Sequence, residues 1–491
     1  MSARPTVDPH ALAAQGPGGS WDGARTVVTG FGVSGAAAAD TLQHLGAHVV
    51  VLDAAAPAAG SPRAEQATVL QTLGVEFRFG PEAATALPEG TDLVVTSPGW
   101  RDESPVLAAA VAAGVPVWGE VELAWRLRGP DAAPWLCVTG TNGKTTTVQM
   151  LDAILREAGL RSAAVGNVGR PVIEAVMDPE PLDVLAVELS SFQLHWSSSI
   201  RAQAAAVLNI ADDHLDWHGS LDAYAGAKGR IYEQVERACV YNVQDPRTEQ
   251  LVRDADVQEG ARAIGFTLGV PGLGMLGLVD DVLADRAFVP ERETSAAELG
   301  TLADLPDQAP HTVANALAAA ALARAHGVDA RAVRDGLRGF RTGPHRSALV
   351  AEADGVRWID DSKATNPHAA LASLRGVESA VWIAGGLAKG ATFDELVQAA
   401  ADRLRAVVLI GADRALIAEA LARHAPEVPV VEVIAGEDDL MDDVVAAAAP
   451  LAHAGDAVLL APGCASMDQF RDYAARGEAF AAAVTRRLQQ D

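Results

Sequence analysis

The residues best suited to chemistry are Gly140, Thr141, Asn142, Gly143, Lys144, Thr145 and Thr146, a polar run between the apolar stretch Trp135 to Val138 and a segment of helical periodicity. That order reads as strand, phosphate loop and helix. Gly140 and Gly143 let backbone N–H groups face an anion, and the helix adds its positive end. Lys144 is placed to reach outer phosphates, and the Thr145 hydroxyl is a ligand type suited to Mg²⁺. The general spacing wants a glycine at Val138, so an ordinary strand-to-helix turn is the competing reading.

Lysine usage bears on that choice. Among 38 Lys and Arg residues only four are lysine, namely Lys144, Lys228, Lys363 and Lys389. A guanidinium is wide, planar and always charged, whereas an ammonium is compact and can also react as an amine. Lys228 opens an apolar helical stretch, Lys363 lies in the polar run Asp360 to Pro367, and Lys389 in the glycine-bounded run Gly385 to Gly390. None sits in a charged stripe.

Other candidates are scattered along the chain. The buried-type run Val184 to Leu189 carries one carboxylate, Glu188, which requires a compensating cation, and nucleotide-bound Mg²⁺ is the natural candidate. His214 reads equally well as a capping or core histidine. Asn315, on an Ala/Leu helix running to about His326, is either bonded to nearby backbone or a contact for a base. Nearer the start, Gly30, Gly32 and Gly35, with Ser34 between them, link the strand Thr26 to Thr29 to a helix, and the strand His48 to Leu52 ends on Asp53. This is GxGxxG followed by an acid, which by itself points to NAD, with a ligand-free tight turn as the alternative. A further strand, Asp92 to Thr96, ends in Ser97.

The elements that must position these groups follow from length and periodicity. A chain of 491 residues suggests about three domains, and alternating strand and helix patterns make the class α/β. Residues 1–22 read as a disordered tail and 23–132 as a Rossmann-like domain. Residues 133–342 read as a central P-loop ATPase-type domain with a mostly parallel sheet, and 343–491 as a second Rossmann-like domain. The linkers fall at Gly129 to Pro134 and Arg341 to Arg346. Thr267 to Val289 reads as a hairpin or an irregular excursion with no assigned role.

A net charge of −26 argues against nucleic acid and anionic membranes as partners. Cys137, Cys239 and Cys464 lie in or beside apolar runs without metal spacing, as free thiols of a reducing cytoplasm do. Neither a signal peptide nor an apolar run of about 18 residues is found, so a cytoplasmic protein is expected.

Taken in order, GTNGKTTT, GNVG, ELSSFQL, NIADDHLDWHG, YAGAKGRIYE, HTVANALAA, GPHR, DDSKATNP, GGLAKGATF and PGCASMDQF resemble the Mur ligase family over nearly the whole chain after the tail. DSKATNP is similar to the signature of its D-glutamate-adding members. The resemblance implies a monomeric ATP-dependent ligase that activates a UDP-linked muramoyl-alanine carboxylate as an acyl phosphate and joins it to D-glutamate. Gly30, Gly32, Ser34, Gly35, Asp53, Ser97 and Asn167 would hold the UDP substrate, which replaces the NAD reading. Gly140 to Thr146, Asn315, Arg346, Asp361 and Lys363 would hold ATP. Two Mg²⁺ ions would be met by Thr145, Glu188, His214 and Lys228, the last carbamylated by CO₂, and Lys144, Glu188, His214 and Lys228 would form the catalytic set. Thr365, Lys389, Ser466, Tyr473 and Arg476 would contact D-glutamate, although the family often has Phe where Tyr473 stands. The L-alanine-adding branch has His where this chain has Asn142. From other classes, a nucleotide-sensing protein and an NAD-dependent oxidoreductase remain as rivals.

Overall fold

The computed structural model describes residues 7–343, 345–434 and 440–489. Pro344, in the second expected linker, and residues 1–6 of the expected tail lie outside the described residues. The rest of that tail is ordered. Asp8 accepts from His10 N and caps the helix Pro9–Ala13, while the Trp21 side chain is fully buried and its backbone N–H donates to Leu45 O at 2.7 Å. Pro and Gly content suggested disorder, but one large apolar side chain finds a core here and ties the segment down.

Three sheets organise the described chain. The first is five-stranded and parallel, in the order Glu76–Phe79, His48–Asp53, Arg25–Thr29, Leu93–Thr96, Val117–Gly119. Chain order reverses between Arg25–Thr29 and Leu93–Thr96, so the turns after Thr29 and Thr96 open onto the crevice where such sheets bind ligands.

The second sheet has nine strands. Trp135–Thr139 lies between Val184–Glu188 and Ala204–Val207, with Ser162–Gly166 at one edge, and Ala238–Asn242 and Arg262–Phe266 continue the other way in parallel. The 267–289 excursion resolves into a hairpin, Met275–Val279 with Val282–Asp285, and Ala297–Thr301 completes the antiparallel edge. Lys144–Glu157, Pro310–His326 and Ala330–Gly339 bury Val148, Leu151, Leu317, Leu322 and Leu337 in the core of this sheet.

The third sheet pairs the hairpin Ala348–Ala353 and Val356–Asp360 with the parallel strands Ala457–Leu460, Ala380–Gly385, Leu404–Ile410 and Val430–Glu432. Its two faces are covered separately, one around Trp382 and Leu409, the other around Phe480 and Val444.

The chain divides into two compact units. One ends at Ile210 and resumes over Asp222–Phe340, and the other comprises Ala211–Leu221 and the chain from Arg341. The first two sheets, expected as separate domains, therefore share one unit. The joint is the helix Glu120–Leu127. Glu120 Oε1 accepts from Ile173 N at 2.7 Å, and Glu122 accepts from the N–H groups of Ser198 and Ser199 at 2.9 and 3.1 Å. Buried carboxylates bonded to main-chain N–H groups leave little freedom across such a seam. Among the described residues no helix is long and apolar enough to cross a membrane.

Candidate functional site

Trp135–Thr139, fully buried near the middle of its sheet, delivers its carboxyl end to the loop Gly140–Gly143, and the helix Lys144–Glu157 starts at once. The loop is held by Asn209, whose carbonyl accepts from Thr141 N at 3.0 Å. Its side chain exchanges two bonds with the Asn142 backbone, at 2.8 and 3.1 Å. Gly143 caps the helix with φ +84, and a Cβ there would run into the Asn315 amide. Asn315 is thus brought to the phosphate loop itself, a position that sequence spacing left open.

Two of the four lysines converge on one atom. Lys144 Nζ donates to Gly140 O and Thr141 O, both at 2.9 Å, and Lys228 Nζ donates to the same Gly140 O at 2.8 Å and to Thr139 Oγ1 at 3.4 Å. Lys228 is 1% exposed and lies over the Tyr224 ring, whose hydroxyl is 3.2 Å from Thr141 Oγ1. Two cations around one carbonyl oxygen repel each other, so the arrangement suits a site that takes up negative charge.

Glu188 ends the neighbouring strand beside Val138. Its Oε1 accepts from Asn167 Nδ2 at 2.8 Å, whereas its Oε2 is buried without a hydrogen-bond partner. Asn167, expected at the UDP substrate, is therefore joined to Glu188, expected at the metal. An orphaned carboxylate oxygen in a buried strand is costly unless a cation meets it. Among the described residues no group of three or more His, Cys, Asp or Glu could hold a metal. A cation at Glu188 would then share hydroxyl, phosphate and water oxygens, the ligand set that Mg²⁺ prefers. Thr145, buried in the first helical turn, is such a hydroxyl.

In the first sheet the glycine turn is held by side chains. Asp53 Oδ2 accepts from Phe31 N at 2.7 Å, and Ser97 Oγ donates to Gly30 O at 3.1 Å. A Cβ on Gly35 would run into the Gly30 carbonyl. Beside Ser97, residues Gly99, Trp100, Arg101, Glu103 and Ser104 line an open cleft of about 470 Å³. Gly99 belongs to the polar turn that the sequence places at this strand's carboxyl end, whereas sequence reading missed Trp100, Arg101, Glu103 and Ser104, which follow it.

In the second unit three loops meet at the carboxyl ends of Val356–Asp360, Ala380–Gly385 and Ala457–Leu460. Gly463 N donates to Ala364 O at 2.9 Å, and Leu387 and Ala465 exchange two main-chain bonds at 2.9 Å. These bonds draw together the segments bearing Lys363 and Thr365, Lys389, and Ser466. Lys363 Nζ lies 3.8 Å from the Tyr473 ring centroid, and the Asp361 carboxylate accepts from Ser347 N at 3.2 Å and from Ser373 Oγ. Arg346 lies just ahead of Ser347.

Arg476, expected to touch the amino acid, is 1% exposed and donates to Ser362 Oγ and O and twice to Cys464 O, at 2.9 to 3.1 Å. It is a strut between two of these loops, because a buried guanidinium must satisfy its fork of donors. Burial pushes its pKa down to about 10. Cys464 beside it is an inert thiol, pushed up to about 12 by burial. His214 lies in the segment Ala211–Leu221 of this unit, with φ 55 and Nε2 3.5 Å from Asp213 Oδ2.

The pattern for the Mur ligase MurD-like N-terminal domain matches residues 24–119, that for the Mur ligase middle domain residues 138–323, and that for the Mur ligase glutamate ligase domain residues 345–464. A UDP-N-acetylmuramoylalanine–D-glutamate ligase of Streptomyces avermitilis is 63% identical, with 95% of this chain and 98% of the relative covered. Its counterpart in Thermobifida fusca is 56% identical over 94% and 98%, and that in Mycolicibacterium smegmatis 47% identical over 94% and 96%. Among solved structures, the UDP-N-acetylmuramate-alanine ligase of Thermotoga maritima is similar in fold, with TM-score 0.58 and 19% identity over 95% of this chain and 100% of that one. The MurF ligase of the same organism, in complex with ADP, gives 0.53 and 17% over 95% and 96%.

Proposed function

This chain belongs to the Mur ligase family, and from that premise we propose that it joins D-glutamate to UDP-N-acetylmuramoyl-L-alanine with cleavage of ATP to ADP and phosphate, in peptidoglycan precursor synthesis. The single observation that carries the reading is the meeting of Lys144 and Lys228 at Gly140 O, at the mouth of a phosphate loop.

A free carboxylate does not acylate an amine, because the leaving oxide is too basic. Its oxygen must first attack the γ-phosphorus of ATP, which releases ADP and leaves an acyl phosphate. The amine of D-glutamate then attacks the acyl carbon, phosphate departs with the bonding pair, and the amine's proton is lost to solvent or a base. In the first step two anions must approach, and the transferred group carries charge over its oxygens. Lys144 and the helix end behind it lower that repulsion through fixed positive charge. Asn209 and Asn315 keep the loop in the shape that offers its N–H groups to phosphate.

Thr145 and Glu188 would hold Mg²⁺, which when bound screens the phosphate oxygens. Lys228 would supply an anionic oxygen ligand as its carbamate, formed from the amine and CO₂ with loss of a proton, replacing one of two like charges with an opposite one. An arginine there cannot add CO₂. His214 keeps its proposed role as an imidazole ligand. Gly30, Gly32, Ser34, Gly35, Asp53, Ser97 and Asn167 are proposed for the UDP substrate. Arg346, Asp361 and Lys363 are proposed for the nucleotide, and Thr365, Lys389, Ser466 and Tyr473 for D-glutamate, with Arg476 supporting them. The enzyme is proposed to work as a cytoplasmic monomer.

The test is phosphate release from ATP in the presence of UDP-N-acetylmuramoyl-L-alanine and one amino acid at a time, with the product weighed by mass spectrometry. Release with D-glutamate alone is expected. Release with L-alanine on UDP-N-acetylmuramate instead would move the chain to another branch of the family.

A further inference from the structure

A set of contacts in the first unit runs from the UDP cleft to the phosphate loop and has no part in the chemistry outlined above. The cleft segment Gly99–Ser104 carries Trp100, whose Nε1 is among the atoms that a Cβ on Gly30 would meet. Its indole therefore lies against the glycine turn. Two consecutive residues on the middle sheet's side hold this segment from behind. Trp196 Nε1 donates to Trp100 O at 3.3 Å, and His195 Nε2 lies 3.0 and 3.2 Å from the two carboxylate oxygens of Asp102. The two rings brace each other edge to face, with centroids 4.9 Å apart. Trp196 O accepts from Gly119 N at 3.0 Å, and His195 O accepts from Arg230 Nη1 at 2.8 Å. Arg230 is two residues from Lys228, which bonds the phosphate loop at Gly140 O.

We propose that His195 and Trp196 are positioning residues for the UDP-linked substrate, fixing the cleft lip Trp100–Asp102 in register with the phosphate loop. The inference rests on the function proposed above and adds residues that neither the glycine turn nor the phosphate loop contains. Asp102 is 60% exposed and His195 28%, so their pair adds little to overall stability. Its effect is local. The lip belongs to no strand of the first sheet, and segments without sheet pairing open most readily. The chemistry needs the substrate carboxylate in line with ATP, and a displacement of about 1 Å at such a site costs roughly a hundredfold. A lip tied to the domain that bears the phosphate loop keeps the two substrates in a common frame.

The test is a kinetic and calorimetric comparison of full-length variants. His195→Ala and Asp102→Ala should each raise KM for UDP-N-acetylmuramoyl-L-alanine by about 5- to 10-fold, with KM for ATP and D-glutamate unchanged. The double variant should be no worse than the poorer single, since both remove one contact. His195→Gln retains a donor toward Asp102 and should recover most of the loss. Trp196→Phe keeps the ring but not the N–H and should raise the same KM about two- to threefold. Equal substrate affinity in wild type and all variants overturns the proposal. A uniform fall in every kinetic constant together with melting temperature, without rescue by His195→Gln, also overturns it. Wild-type protein that binds no UDP substrate would overturn the functional reading first, and this inference with it.

Discussion

The first unit contains two glycine turns of the same design, and they differ in charge. Both follow a buried parallel strand and open a helix, Val33–His44 after Gly32 and Lys144–Glu157 after Gly143. The first is held by neutral or acidic groups, Ser97 on the Gly30 carbonyl and Asp53 on the Phe31 N–H. The second gathers two lysines on one carbonyl and has an unpartnered carboxylate oxygen on the adjacent strand. A group that is only gripped keeps its charge throughout the reaction, and backbone N–H groups with a helix end suffice for it. A group that is transferred changes its charge distribution, and it needs fixed charges aimed where the change occurs. Under the proposed function, the difference between the turns is one of binding against reaction.

The largest effect should come from breaking the charged turn. Lys144→Ala is expected to lower the rate of phosphate release by about 10²- to 10³-fold, while calorimetric affinity for the UDP substrate stays within twofold. Lys228→Arg, which keeps charge but cannot add CO₂, should lower the rate by a similar order. An equal loss of UDP-substrate affinity in either variant would show that the two turns do not divide the work.

A smaller effect should follow from distorting the uncharged turn. In Gly35→Ala the new methyl meets the Gly30 carbonyl, an overpacking that costs about 1–3 kcal/mol. KM for the UDP substrate is expected to rise about tenfold and the melting temperature to fall, with KM for ATP unchanged. Gly143→Ala, strained by φ +84 and by the Asn315 amide, should give the mirror image by raising KM for ATP. If either variant raises both KM values alike, the turns are coupled more tightly than their separate sheets suggest.

Both turns were legible in the sequence because glycine spacing, a lysine and the flanking apolar runs are local signals. The alternating pattern of the third sheet was legible for the same reason. What joins these parts was not. His195 and Asp102 are 93 positions apart and Glu120 and Ile173 are 53 apart, and no periodicity announces such pairs. Asn315 carried no sign that it would press on Gly143. The family resemblance places Arg476 at the amino acid, and nothing in the local sequence announces that its guanidinium braces the loops from within, on Ser362 114 positions away. Trp21 was outweighed by the Pro, Gly and Ala around it, because composition averages away the one side chain that anchors the segment.

The smallest expected effect concerns the seam between the turns, where Glu120 is buried with one carboxylate oxygen bonded to Ile173 N and the other unpartnered. Burial pushes its pKa up from 4.5 to about 7. Between those values the folded protein holds a proton that the unfolded chain has released, so the stability linked to Glu120 is full below about pH 4.5 and declines as pH rises to about 7. Glu120→Gln cannot ionise and keeps an acceptor for Ile173 N. Its melting temperature relative to wild type should therefore climb from pH 5 to pH 7.5 and then level off, for a gain of about 1–3 kcal/mol by linkage. Kinetic constants at pH 7.5 should stay unchanged, because the seam holds the two turns in one frame and takes no part in either one's chemistry. A variant whose melting curve shifts equally at every pH would mean that Glu120 ionises with the same pKa in the folded seam as in the unfolded chain. One with altered KM for both substrates would mean that the seam sets the geometry of both sites, and the contrast between a gripping and a reacting turn would have to be redrawn as a single coupled site.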